Sequence, residues 1–393
     1  VNTFATPSVV GGATPIPITG GLDQDIYLEG TAPSFVERTK NVGVSSPGQV
    51  VYAPDIGTFV AVASQGTAAD RVFRSTDGLN WVNSTPAENN AWQSVAYSQK
   101  LRRFVAVSSD GTNRVQYSAD GVTWSTASAS SAATWTSVVW SEPQDQFVAV
   151  GYSACMTSPD GITWTGRTIG AEQWHEVGYS PTLNLFSAIG LTGTSITTSP
   201  DGITWTAQPS MAPGGSAGSM IWSEIFNSFL YATSTNLYRS FDGINWTVLQ
   251  AVSGGDGIVE IPELGIVMVA SGGDYQYSSD GVNWSTIASF NSSFCGGMAW
   301  SAEKEIVVSY KTDATDSTIE SLQPGTIITA NPQIQDGITD GQTIRLLGTD
   351  SVNSVKLTSG NGVTVPQPGV FLGQDKVVPF RWDEDRSVWM FVG

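Results

Sequence analysis

Six glutamates recur at one kind of place in this 393-residue chain. Glu142, Glu224, Glu260, Glu263, Glu303 and Glu305 stand near the start or tip of segments that read as strand hairpins. Two carboxyl groups facing each other at about 5 to 10 Å can perform acid/base chemistry on a glycosidic bond. The sequence supplies the groups without their separation, and in a chain with excess acid the expectation is solvated loop-tip carboxylates. His175, the only histidine, follows Trp174 and has the pKa range of a general base, but no second histidine or cysteine cluster completes a zinc site. Asp313 to Asp316 and Asp383-Glu384-Asp385 offer oxygen ligands without the spacing of a calcium loop. Cys155 and Cys295 fall in different repeats, so each is expected to be a small buried residue and not half of a bridge. No catalytic residue, metal or cofactor is expected.

The elements that must position these groups are written in a repeat, Ser-x-Asp-Gly-x-Asn/Thr-Trp. It occurs six times, with aspartates Asp77, Asp120, Asp160, Asp201, Asp242 and Asp280 and closing tryptophans Trp81, Trp124, Trp164, Trp205, Trp246 and Trp284. The aspartates are spaced by 43, 40, 41, 41 and 38 residues, the length of one four-stranded propeller blade. Asp-Gly is a tight-turn signal: aspartate bonds nearby backbone, glycine accepts positive φ, and the serine hydroxyl can close the same turn. Each turn is expected to hold strand register, and each indole to supply apolar surface between blades.

This motif resembles the Asp-box of sialidase-like and related BNR-repeat propellers, over about residues 50 to 312. The resemblance implies the fold and a structural role for the turns, which in that superfamily lie away from the central site. Sialidases also need three convergent arginines, a tyrosine nucleophile with a glutamate partner, and an aspartate acid/base. Here Arg71, Arg74, Arg114 and Arg239 sit beside the boxes, and Arg102 and Arg103 in a hairpin loop. Tyr52, Tyr97 and Tyr179 share one repeat position with Trp140, Trp222 and Trp300, and so read as a packing slot. The reading is therefore of a protein that is not an enzyme.

A second repeat sets the blade count. Paired strands begin at Val51, Val95, Val138, Val177, Met220, Ile258 and Met298, seven in all, each followed by a polar loop and a more apolar strand such as Phe104-Val105-Ala106-Val107. Seven hairpins with six boxes predict an all-β, seven-bladed ring whose last blade is completed by residues 31 to 45, an N-terminal clasp that removes exposed sheet edges. A six-bladed ring is the alternative. No window carries a helical apolar stripe.

The expected organisation is an arm or attachment segment at 1–30, the propeller at 31–324, and a small β domain at 325–393. That last segment is short for an independent fold. Its turns and closing strand (Gly341-Gln342-Thr343-Ile344, Leu347-Gly348-Thr349-Asp350, Arg381-Trp382, Ser387-Val388-Trp389) resemble the terminal β domains of bacteriophage tail-fibre and virion-appendage proteins. The resemblance implies a homotrimeric virion protein that works with other virion proteins and meets a host glycan or protein. Alternatives are a decoration or scaffold protein without host ligand, a secreted or virion-associated glycosidase, and an assembly-factor propeller like those of photosynthetic membranes. Asp110 to Asn113, Ala127 to Thr134, Gly190 to Ser195, Pro209 to Ser219 and Ala251 to Asp256 are the candidate binding rims. A formal net charge of −18 argues against nucleic acid and anionic membrane surfaces as partners, and no apolar run approaches a membrane span. The expected location is a virion, or extracellular.

Overall fold

The computed structural model describes residues 23–28, 36–41, 47–66, 71–191, 195–208, 218–251, 257–271, 274–289, 294–312 and 317–323. Towards the C-terminus it describes 328–330, 343–348, 355–357, 363–364, 370–372, 377–383 and 388–391. Apart from a 3-10 turn at Pro262–Leu264, the regular elements among these residues are strands.

The hairpin count, and not the box count, sets the number of sheets. Six antiparallel four-stranded sheets each use four consecutive strands, and a seventh is composite. The innermost strands are Pro47–Ala53, Trp92–Ser98, Trp135–Ser141, Trp174–Ser180, Ser219–Ser223, Ile258–Ile261 and Phe294–Ser301. Each neighbours the next, and the last neighbours the first, so the ring is closed. The seventh sheet runs Phe294–Ser301, Ile306–Thr312 and Ser317–Gln323, with Val36–Asn41 as its outer strand. That strand lies inside the segment expected to be the clasp.

Each inner hairpin turns through one residue of positive φ just before its second strand: Gly57, Arg102, Asp145, Asn184, Asn227, Gly265 and Glu305. The serine that follows the repeated aromatic explains the Tyr/Trp-Ser pairing in the sequence. Ser98, Ser180, Ser223 and Ser301 each accept the amide three residues on, at 3.0–3.2 Å, closing the turn.

The core is shared between blades. Every box tryptophan packs in the cluster formed by its own blade and the preceding one: Trp81 with Ile306, Val308 and Tyr310 across the ring closure, Trp124 with Val60 and Val62 of the first blade, Trp164 with Val105 and Val107, and so on round to Trp284 with Leu230. No blade buries its own faces alone, so the sheets are stable only as a ring.

The remaining strands form a separate unit. Its five-stranded sheet runs Asp23–Leu28, Thr343–Gly348, Val377–Asp383, Val388–Phe391 and Val363–Thr364, and a three-stranded sheet joins Ile328–Ala330, Val355–Leu357 and Val370–Leu372. Part of the expected arm is therefore a sheet strand: Asp23–Leu28 pairs in parallel with Thr343–Gly348 along its whole length. Residues 1–22 lie outside the described residues. The case for a homotrimer rested on short C-terminal strands that another copy would have to complete, and here the chain's own N-terminal strand extends the sheet.

The close approach of box to preceding blade makes a testable ranking. Gly161 has φ of 72°, and a Cβ there would stand 2.5 Å from Val105 Cγ2. Gly161→Ala should cost about 1–2 kcal/mol for the left-handed backbone and about 1–3 kcal/mol more for overpacking. Asp160→Ala, which removes hydrogen-bond acceptance without a clash, should cost about 1–3 kcal/mol. Urea denaturation of the two variants should place Gly161→Ala below Asp160→Ala in stability.

Candidate functional site

The box turns are built alike in all six copies. Serine Oγ donates to aspartate Oδ1 at 2.9–3.0 Å. The same Oδ1 accepts the amides two and three residues on, at 2.7–2.9 Å. Where the sixth position is asparagine, its Nδ2 reaches Oδ2 at 2.7 Å. At Asp77 burial opposes ionisation, but bonds from Asn80, Leu79 and Ser75 outweigh it and hold the carboxyl at about 2. Asp280, with the Asn283 amide as the main cause, is also held well below the usual carboxylate range.

In five boxes the indole Nε1 donates to the box glycine carbonyl at 3.1–3.4 Å. In the sixth, Trp284 Nε1 is buried without a partner, and Arg239 Nη2 of the preceding blade takes the Gly281 carbonyl at 3.3 Å. Other blades reach forward in the same way: Arg103 Nη1 donates to Asp160 O, Gln146 Nε2 to Asp201 O at 2.7 Å, and Ser187 Oγ to Gly243 O at 2.8 Å. The expected structural residues thus occupy blade-to-blade joints.

From five of the six joints a ladder of three rings crosses the sheet to the channel. Box tryptophan, a phenylalanine of the second strand and the repeated aromatic of the inner strand lie in line: Trp164, Phe147 and Trp140; Trp205, Phe186 and Tyr179; Trp246, Phe229 and Trp222. Centroids are 6.2–6.4 Å apart on the outer step and 4.6–5.1 Å on the inner one.

The inner ends of these ladders converge. Trp140, Tyr179 and Trp222, with Glu142, Pro143, Pro181 and Glu224, line a cavity of about 290 Å³ at the hairpin end of the channel. Trp140 Nε1 donates to Glu142 Oε2, Trp222 Nε1 to Glu224 Oε1 at 2.9 Å, and Tyr179 Oη to Asn184 Oδ1 at 2.8 Å. The sequence presented the aromatic slot and the hairpin glutamates as two unrelated patterns, packing and solvated acid. The ring's curvature makes them one site.

The same three aromatics also line the channel, a cavity of about 320 Å³ that includes Gln49, Val138 and Glu176. A polar girdle crosses it. Ser94 Oγ donates to Gln49 Oε1 at 2.7 Å, Gln49 Nε2 donates to Glu176 Oε1 at 3.2 Å, and Ser94 and Ser137 each accept an amide of the next blade. Sequence reading missed Glu176 and Gln49. The available signal was their place, level with Ser94 and Ser137, where a bulge opens the inner strand at Trp92/Ser94, Trp135/Ser137 and Trp174/Glu176.

Glu260 fills the aromatic slot of the sixth blade and accepts Ser223 Oγ and the Ile225 amide. Tyr52 donates to Glu303 Oε2 at 2.9 Å and Tyr97 to Asp55 Oδ1 at 2.6 Å. Burial, reinforced by the carboxylate, pushes both phenols up, opposite to what a phenolate nucleophile requires. Arg71 and Arg114 cap loop carbonyls, and no arginine lines either cavity. Cys155 and Cys295 are buried and form no disulfide, and burial pushes the Cys155 thiol up to about 12.

The candidate rims fall at one end of the ring. Asp110 to Asn113 and Ala127 to Thr134 lie at the end opposite the inner hairpins, because antiparallel strands put successive connections at alternate ends. There Glu88 accepts the Asn113 amide and Nδ2, at 3.0 and 2.6 Å. Residues 192–194, 209–217 and 252–256 of the other rims, the acidic stretch 313–316 and residues 384–385 of the other acidic stretch lie outside the described residues. Among the described residues no group of three or more His, Cys, Asp or Glu side chains could hold a metal ion, and no helix is long and apolar enough to cross a membrane.

Ring, joints and mouth together define a β-propeller. No family model and no curated protein matches the chain. Similar solved structures include YCF48 from Cyanidioschyzon merolae, at 16% identity and TM-score 0.54, covering 73% of this chain and 99% of that one. YCF48 bound to D1 peptide is 12% identical, TM-score 0.54, covering 74% and 97%. A catalytically inactive virginiamycin B lyase from Staphylococcus aureus with quinupristin is 7% identical, TM-score 0.57, covering 73% and 99%. At these identities the likeness is one of fold.

Two expectations are corrected by these findings. A lyase with this fold weighs against the firm exclusion of catalysis, which rested on the missing sialidase constellation, the loop-tip glutamates and the lone His175. The bacteriophage, virion, tail-fibre, host-attachment and homotrimer assignments, and membership of the Asp-box family, gain no support from matches to YCF48 and virginiamycin B lyase. The C-terminal turn spacing that carried the phage resemblance is a feature of fold, and fold does not imply function.

Stability should fall in two stages on acidification. Burial pushes the His175 imidazole down to about 4, and its Nδ1 has no partner. The unfolded chain takes that proton first, so this contribution is complete above the ordinary histidine value and is lost as pH falls towards 4. The box aspartates contribute above the ordinary carboxylate value and lose it as pH falls through their folded values, about 2 for Asp77. Melting temperatures of His175→Gln should show the first loss reduced between pH 6.5 and 4 and the second unchanged.

Proposed function

We propose that the propeller is a binding module that holds a segment of another polypeptide at the hairpin-end mouth of its channel. The carrying observation is the convergence of Trp140, Tyr179 and Trp222 from three successive blades on one cavity, each ring backed by a phenylalanine and fixed by a hydrogen bond. Concave sites with aromatic walls and a few oriented polar groups are the usual form of a binding pocket. The fold is compatible with such use, since one similar propeller was solved with D1 peptide bound. A displayed library of random 12-residue peptides should be enriched on the purified protein. Binding of the enriched peptides should drop about tenfold or more in Trp222→Ala, as for a central aromatic anchor, measured at a temperature where the variant is folded because the ring also packs on Phe229. No enrichment, or binders indifferent to both Trp140→Ala and Trp222→Ala, would overturn the reading.

A second reading draws on the two glutamates of the same cavity. Glu142 and Glu224 facing a sugar held against the indoles would be the acid/base pair of a glycosidase. Release of p-nitrophenol from a panel of p-nitrophenyl glycosides checks it: turnover should vanish in both Glu142→Gln and Glu224→Gln. Turnover that survives either change, or none with any glycoside, removes this reading.

A further inference from the structure

The aromatic-carboxylate pair at the channel mouth occurs in several blades, and in two places the chain completes it with its own cation. Tyr97 Oη donates to Asp55, and Arg102 Nε pairs with the same carboxylate at 3.1 Å. Tyr52 Oη donates to Glu303, and Lys304 Nζ pairs with that carboxylate. Ring hydrogen, carboxylate and cation form a three-part unit in both.

In the third and fifth blades the first two parts are present and the third is not. Trp140 holds Glu142 and Trp222 holds Glu224, while neither glutamate forms a salt bridge among the described residues and no basic side chain lines their shared cavity. Here the rings are two indoles and a phenol, the better cation–π partners. Their orientations are set from behind by Phe147, Phe186 and Phe229. The carboxylates are set by the indole N–H groups. Two exposed negative charges therefore flank a pocket walled by aromatic rings, in a chain whose formal charge of −18 draws cations at long range.

We propose that this cavity is the seat of an organic cation, the ammonium or guanidinium group of a lysine or arginine side chain, with Glu142 and Glu224 as its counter-ions and Trp140, Tyr179 and Trp222 as its walls. The inference rests on the polypeptide-binding reading and names the side chain that such a segment inserts. A cavity of about 290 Å³ suits one long side chain, not a folded domain. The intramolecular units at Arg102 and Lys304 supply the chemical precedent within the same ring.

The test uses the full chain and capped pentapeptides Gly-Gly-X-Gly-Gly with X as lysine, arginine, norleucine or citrulline, read by tryptophan fluorescence and by the indole N–H signals of Trp140 and Trp222. Lysine and arginine peptides should bind and shift both signals, with the neutral isosteres weaker by about tenfold. Trp140→Phe should weaken binding about two- to fivefold, the scale of one exposed cation–π contact. Glu142→Gln with Glu224→Gln should erase the preference for charge, while Glu263→Gln with Glu305→Gln, which removes equal charge at other hairpins, should leave it. Raising salt should weaken binding. Equal binding of norleucine and lysine peptides, or a lysine preference untouched by Glu142→Gln with Glu224→Gln, overturns the cation seat. If library peptides still depend on Trp222 in either case, the polypeptide-binding reading stands without it. Binding of N-acetyl-lysine amide with no peptide enriched from the library would keep the seat and discard the segment.

Discussion

A carboxylate accepting two backbone amides inside its own turn is the interaction on which this structure depends. Asp160 and its five counterparts fix the corner of each blade so tightly that the glycine beside them can be pressed against the preceding sheet. Gly121, Gly161 and Gly202 approach Val60, Val105 and Val148 of the blade before, closer than a side chain would permit. Blades joined so closely share their apolar cores, and a shared core makes a sheet of four strands stable where it would be marginal alone. The turn is local, but its consequence is closure of the ring.

Closure in turn makes the mouth. Each joint tryptophan leans on a phenylalanine, and that phenylalanine backs the aromatic at the channel end, so positions far apart in sequence are set by one stack of rings. A pocket built this way has little freedom to rearrange, and binding there loses little conformational entropy. The sixth blade marks the exception that defines the rule. Glu260 stands where the others carry an aromatic, and Trp284 lacks the carbonyl that Arg239 has taken. The ladder is missing where both its ends have changed.

Much of the scaffold was legible in the sequence because it is periodic. The 38- to 43-residue spacing gave the blade, the seven hairpins gave the ring, and the strand-like residues before Val50 gave the clasp that became Val36–Asn41. The site was not legible, for a geometrical reason. Glu142 and Glu224 belong to different blades, and only the curvature of the ring brings their hairpins to one cavity. Glu176 was hidden because period-two alternation cannot foresee a bulge, and the bulge at Trp174/Glu176 decides which residue enters the girdle. Which end carries the binding rim was not legible, because loops at both ends of a propeller are equally polar. The strand Asp23–Leu28 escaped because a parallel partner more than 300 residues away leaves no local trace.

An exposed carboxylate is solvated cheaply, so acid at a hairpin tip needs no explanation when it stands alone. Glu142 and Glu224 do not stand alone: each is held by an indole N–H, a donor that fixes the carboxylate beside an aromatic wall instead of leaving it to sweep through solvent. Holding two like charges at one cavity opposes folding slightly, since nothing basic from the chain lines that cavity to offset them. At Asp55 and Glu303 the same arrangement is neutralised internally by Arg102 and Lys304. The difference lies in where the cation comes from. A ring that supplies its own counter-ion at two of these units and leaves a walled space at two others is organised to receive positive charge from outside at that mouth.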